Sequence, residues 1–140
     1  MESFVLHKDE GIFIVLKNSI LNIYPYGDCC SSNWFEELDE ERFEKFLGQE
    51  FVSINYELDY ENPIQDTHPD ECEERYIATI KFTEGEFNFV FRHSCNGYYG
   101  GGIEKRFLTA NEYQYELFKI NSEKERQELF RERQEAISNR

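Results

Sequence analysis

Cations are scarce in this chain. Its 140 residues hold 15 Lys and Arg against 29 Asp and Glu, a formal net charge of −14. Such a field repels phosphate and anionic lipid, which argues against direct nucleic-acid binding and against an anionic membrane surface. Long apolar runs are missing as well: no stretch approaches the ~18 residues that a membrane span needs. The N-terminus, from Met1 to Glu10, has no basic start followed by an apolar run. A soluble, cytoplasmic protein is expected. Cysteine is confined to Cys29, Cys30, Cys72 and Cys95, too few and too irregular for a secreted disulfide framework, and the adjacent pair cannot bond to itself without distorting the intervening peptide. Reduced thiols are the expectation. Internal repeats are absent.

What is abundant is acid in one place and aromatic rings throughout. Between Glu36 and Glu86 there are 17 Asp and Glu against 4 Lys and Arg, a local excess of 13 that is nearly the whole formal charge. Thirteen Phe and nine Tyr stand beside one Met and one Trp, so an aromatic-heavy core outweighs the charge and the chain is expected to fold. The length suits one core.

The hydrophobic spacing predicts an α+β fold with a mostly antiparallel sheet. Ser3 to His7, Gly11 to Lys17 and Ser19 to Tyr26 read as three strands joined by hairpin turns. From Trp34 the period changes to that of a helix, with Trp34, Phe35, Leu38, Phe43, Phe46 and Leu47 on one side and Glu36, Glu37, Glu40, Glu41 and Glu44 on the other. Ser31, Ser32 or Asn33 would cap it and Gly48 would end it, with Asp39-Glu40-Glu41-Arg42 allowing a kink near Leu38. Glu50 to Tyr60 returns to strand spacing, and Glu61 to Glu74 reads as a long acidic loop. Arg75 to Thr83 and Glu86 to His93 form the clearest hairpin, turning at Glu84-Gly85, and Ile103 to Leu108 adds another strand. Ser122 and Glu125 have capping-box spacing before a charged helix, and Tyr113 to Leu117 suits either a last strand or the front of that helix. The expected division is an α+β domain over 1–120 and a C-terminal helix over 121–140, in the same domain or projecting.

Two short segments carry a resemblance. Gly27-Asp28-Cys29-Cys30-Ser31, with Trp34-Phe35 beyond it, and Asn96-Gly97-Tyr98-Tyr99-Gly100-Gly101 resemble the signatures of a family of small phage and bacterial proteins of unassigned function. The likeness covers roughly residues 11 to 105. It implies a compact α+β domain in a phage or bacterial setting and transfers no catalytic residue.

Chemistry has several candidate footholds. Thiols at Cys29 and Cys30, at a strand end near a helix start, would have their thiolate form favoured by the helix dipole, while a plain reading buries one of them under Trp34. A nucleophile at Cys29 or Cys30 with His93 as base and Asp28 to orient it is conceivable. His68 with Cys72, and His93 with Cys95, completed by the Cys29-Cys30 pair, suit zinc in residue type, so a metal-binding protein using Cys29 or Cys30 with His93 is an alternative; no Cys-x-x-Cys knuckle is present, and neither a metal nor a cofactor is expected. The glycine run from Asn96 lacks the Lys-Ser/Thr ending of a phosphate loop and reads as a turn or bulge that could present Tyr98 and Tyr99 near Arg92, His93, Lys105 and Arg106. The charge favours a non-enzymatic binding protein for a basic protein partner, as a toxin-immunity protein or a phage inhibitor of a nucleic-acid-acting defence enzyme would be. Its contacts would be Glu36, Glu37, Glu40, Glu41, Glu44, Asp66, Asp70, Glu71, Glu73, Glu74, Tyr98 and Tyr99, with Tyr60 or Phe35 as exposed aromatic anchors. The chain itself is expected to be a monomer or homodimer.

Overall fold

A computed structural model describes residues 1–28, 30–62, 71–96 and 100–138, with backbone alone for residues 71, 72 and 96. The fold is α+β, in two compact units, Met1–Phe107 and Leu108–Arg140. The first unit is built on two four-stranded sheets. One holds β1 (Ser3–His7), β2 (Gly11–Val15), β3 (Ile20–Gly27) and β8 (Gly101–Leu108), in the order β1-β2-β3-β8. The other holds β4 (Ser31–Glu36), β5 (Phe51–Leu58), β6 (Glu71–Phe82) and β7 (Gly85–Asn96), in the order β4-β7-β6-β5. The pairs β1 with β2, β2 with β3, β4 with β7, β5 with β6 and β6 with β7 are all antiparallel. A short helix α1 (Glu40–Glu44) joins β4 to β5, and α2 (Ala110–Ser138) makes up the second unit.

Period-two alternation explains the core of the first unit. Ile12, Ile14, Leu21 and Ile23 come from one sheet, and Phe35, Ala78, Ile80, Phe82, Phe87, Phe89 and Phe91 from the other, and all are buried in one cluster. Phe43 of α1 closes one end of this layer, its ring 4.8 Å from those of Phe4 and Phe87 and 5.7 Å from that of Phe82. Edge-to-face pairs of this kind add about 0.5–1.5 kcal/mol each to what ring burial gives. Gly85, at φ +152°, turns the β6–β7 hairpin where Glu84-Gly85 was expected to turn it.

The helix predicted from Trp34 is shorter than its pattern. Residues 31–36 form β4, paired with β7 from Ser31 opposite Cys95 to Glu36 opposite Val90. Asn33 and Phe35 point inward and Trp34 and Glu36 outward, a two-residue alternation that a helical wheel also accommodates over so few positions. Glu37, at φ +60°, ends the strand, and Asp39 caps α1 by accepting the Arg42 amide at 3.2 Å. Two further boundaries differ from expectation. Residues 71–74 begin β6 instead of ending the acidic loop. The last helix starts at Ala110, because Thr109 and Glu112 form a reciprocal capping box (3.1 and 2.9 Å) that precedes the one read at Ser122. Tyr113 to Leu117 is therefore helix.

Candidate functional site

The chain passes from the first sheet to the second between β3 and β4, and back between β7 and β8. Both passages meet. The Asp28 amide donates to the Gly100 carbonyl at 3.0 Å, and the Gly100 amide donates to the Asp28 carboxylate at 3.0 Å. Asp28 and Gly100, some 70 positions apart in the chain, thus meet at one corner. Glycine allows it: a Cβ on Gly101 would overlap Asn33 Oδ1 and His93 Nδ1, and a Cβ on Gly27 would overlap Asn33 Nδ2 and Ser31 Oγ.

A directed chain of hydrogen bonds runs through this corner. Ser31 Oγ donates to the Asp28 carbonyl at 2.7 Å, which can only accept, so the single hydroxyl proton is used there. Asn33 Nδ2 donates to Ser31 Oγ at 2.9 Å, which fixes the orientation of the carboxamide and turns its Oδ1 toward His93 Nδ1, 2.6 Å away. His93 Nδ1 must then carry a proton, since an amide oxygen can only accept. His93 is 3% exposed, and Cys95, its neighbour two residues along the same inward face, is also 3% exposed. A buried imidazole oriented by an amide is the kind of group general-base chemistry uses. Asn33 was not foreseen as part of it; its signal was the alternation of Ser31, Asn33 and Phe35.

The thiols sit differently from expectation. Cys30 is exposed, at φ +73°, and leads into a strand rather than a helix. The strand that follows it supplies no helix N-terminus to favour the thiolate. Cys29, His68, Tyr98 and Tyr99 lie outside the described residues, as do Asp66 and Asp70, and for Glu71 and Cys72 only the backbone is described. Among the described residues, no group of three His, Cys, Asp or Glu side chains converges as a metal site would.

The predicted acidic contacts divide into two sets. On the outward face of the second sheet, Arg75 and Arg92 are direct cross-strand neighbours, an arrangement that like charges disfavour unless anions flank it. Four carboxylates do so. Glu36 Oε1 accepts from Arg92 Nη1 at 3.0 Å and from Trp34 Nε1 at 3.1 Å, while Glu73 lies 3.6 Å from Arg92 Nη2. Asp59 pairs with Arg75 Nη1, and Glu37 lies 3.8 Å from Arg75 Nη2. Arg92 also lies over the Trp34 ring, 5.4 Å from its centroid. Glu74 accepts from the Tyr76 hydroxyl at 3.0 Å. The second set, Glu40, Glu41 and Glu44 on α1, is exposed. Phe35, expected as an exposed anchor, is 1% exposed because it faces the inter-sheet core, whereas Tyr60 is 82% exposed.

Residues 2–105 match the model of a domain family described as a domain of unknown function, DUF7448. The chain is 35% identical over 79 residues to an uncharacterized protein of Acanthamoeba polyphaga mimivirus, covering 56% of this chain and 61% of that protein. It is 30% identical over 99 residues to the probable pinoresinol-lariciresinol reductase 3 of Arabidopsis thaliana, covering 69% of this chain and 31% of the reductase. It therefore spans less than two thirds of either relative. No solved structure matches it. No helix among the described residues is long and apolar enough to cross a membrane.

Proposed function

Since the chain belongs to the DUF7448 family, a domain of unknown function, we propose its role from its own charge and geometry: a non-enzymatic cytoplasmic protein that binds and neutralises a basic protein partner. A toxin-immunity protein, or a phage inhibitor of a nucleic-acid-acting defence enzyme, would work this way. The observation that carries the reading is the double hold of Arg75 on Glu37 and Asp59. It draws the acidic start of α1 and the segment bearing Tyr60 to the same place. Glu40, Glu41 and Glu44 are exposed beside a shallow depression lined by Glu37, Leu38, Asp39 and Arg42. Carboxylates of this density speed encounter with a cationic surface, and an exposed tyrosine supplies the apolar anchor that holds the complex. Glu36 and Glu73, engaged with Arg92, position the sheet face instead of reaching the partner.

The test compares capture of basic proteins from lysate by the native chain and by a Glu40→Gln, Glu41→Gln, Glu44→Gln variant. Captured basic protein should be lost in the variant and should diminish as salt rises. Equal capture by both forms would refute the reading. The reductase activity in the plant relative's name is not carried over, because a dinucleotide site of the usual kind sits on parallel strands joined by helices, and the registered strand pairs here are antiparallel.

A second reading has one observation in its favour. The Asn33–His93 pair suits a cysteine-dependent reaction with His93 as base and Cys29 or Cys30 as nucleophile. A thiol probe would then label one of these two faster than Cys95, and His93→Ala would slow that labelling; equal rates for all four thiols would exclude it.

A further inference from the structure

The second unit presents a face that its own burial leaves open. Tyr115, Phe118, Leu129, Phe130 and Ile137 are exposed by 55% to 69%. At about 100° per residue they fall within an arc of about 120°, centred on Tyr115 and running about 33 Å along α2. Glu116 and Ile120, at 9% and 2% exposure, lie about 100° and 140° round from its centre, outside the arc. The open stripe is therefore not the helix's buried face displaced by a turn. Arg126, Arg133 and Lys119, whose ammonium lies over the Tyr115 ring 5.3 Å from its centroid, fall within it, and Glu123 lies at its margin.

We propose that this stripe is where two copies of the chain associate, α2 against α2, antiparallel, about a two-fold axis near residue 124. The register follows from the sequence. In an antiparallel pair the same flank of each helix meets its copy, so residues whose numbers sum to about 248 lie level. Phe118 and Leu129 share one flank and meet twice across the axis. Tyr115 meets Arg133 of the second copy at the centre of the stripe, a ring-to-guanidinium contact. Arg126 meets Glu123 on the other flank. A parallel pair would set Arg126 against Arg126 and Arg133 against Arg133, which is why the antiparallel arrangement is chosen. Each contact occurs twice, as an isologous interface requires. With an aromatic side chain offering about 200 Å2, the five apolar residues expose about 600 Å2 per copy. The stems of the two arginines bring this close to the ~800 Å2 per partner of an ordinary stable interface.

The experiment is sedimentation velocity on the full chain from about 1 to 200 μM, with circular dichroism to confirm that each variant keeps its helix. The native chain should dimerise within this range. Phe118→Glu and Arg126→Glu should each weaken the dimer at least ~10-fold, a loss of about 1.4 kcal/mol. Combining Arg126→Glu with Glu123→Arg should restore it to within ~3-fold of the native value, since the swapped charges meet again in this register. A native chain that stays monomeric, or a dimer indifferent to Phe118→Glu, overturns the proposal. So does a charge swap that fails to restore association. None of these outcomes touches the acidic set on α1, so the partner-binding reading stands or falls separately.

Discussion

Replacing Gly101 with alanine measures how tightly the corner between the sheets is closed. A Cβ at this position would overlap Asn33 Oδ1 and His93 Nδ1 and lie 2.8 Å from His93 Cε1. Asn33 cannot simply swing away, because Ser31 holds its amide at 2.9 Å, and the His93 ring is buried. Overpacking of this kind costs about 1–3 kcal/mol, and pulling Asn33 from His93 breaks a buried hydrogen bond at about 0.5–1.5 kcal/mol more. Relaxation shares the two, so a total of about 2–4 kcal/mol is expected, or a fall of roughly 6–15 °C in Tm for a chain of this length. Urea denaturation reads it directly. Gly48→Ala is the control, since nothing lies within 4 Å of its Cβ and only its φ of +88° resists the change; about 1 kcal/mol is expected. In an Asn33→Ala background the cost of Gly101→Ala should fall by at least about 1 kcal/mol, because one of the two clashing groups has gone. A cost below about 0.5 kcal/mol, or no coupling to Asn33, would refute the close-approach argument.

Thr109→Ala should destabilise α2 by about 1 kcal/mol, seen as a loss of helical signal at lower temperature, because the Glu112 amide loses its cap. Asp59→Ala should cost about 3 kcal/mol in denaturant unfolding: the carboxylate accepts the Glu61 and Asn62 amides, each at 3.2 Å, and its removal leaves Arg75, among the described residues, with the more distant Glu37 at 3.8 Å. Burial raises the Tyr113 phenol above its ordinary 10.0. A phenol that ionises later in the folded chain than in the unfolded one supports the fold below pH 10 and ceases to do so as pH rises through its folded value. Tyr113→Phe should accordingly flatten the fall in stability above that pH, and an unchanged profile would contradict the assignment.

The strands were legible wherever one face was apolar and the other polar. Phe87, Phe89 and Phe91 against Glu86, Asn88 and Arg92 left β7 in no doubt, whereas the first three strands were marked by short apolar runs set between hairpin turns. The segment from Ser31 to Glu36 was not legible, since Trp34 on the outer face of β4 has an indole N–H that Glu36 satisfies and a ring that Arg92 covers. Two adjacent large rings, Trp34 and Phe35, imitate one side of a helix when they in fact cover opposite sides of a strand. The start of α2 was written in Thr109-Ala-Asn-Glu112 and overlooked in favour of Ser122, whose spacing to Glu125 is identical but falls inside a helix already begun. The corner was legible only in part: composition marked the glycines, but the bond between Asp28 and Gly100 depends on pairing across the fold, which spacing along the chain does not encode. The acidic excess was legible as a number, whereas the engagement of four of its carboxylates by Arg75 and Arg92 depends on cross-strand register that spacing along the chain does not show.

Eight strands share two sheets, yet among the described elements the polypeptide changes sheet only twice, and both changes happen at the corner fastened by Asp28, Gly100, Asn33 and His93. Intolerance to substitution at these positions is thus what this chain would show even if nothing ever bound there. A survey of inactive variants would find the seam of the fabric first, and a residue there earns a chemical role only when its loss abolishes activity in a protein that still melts where the native one does.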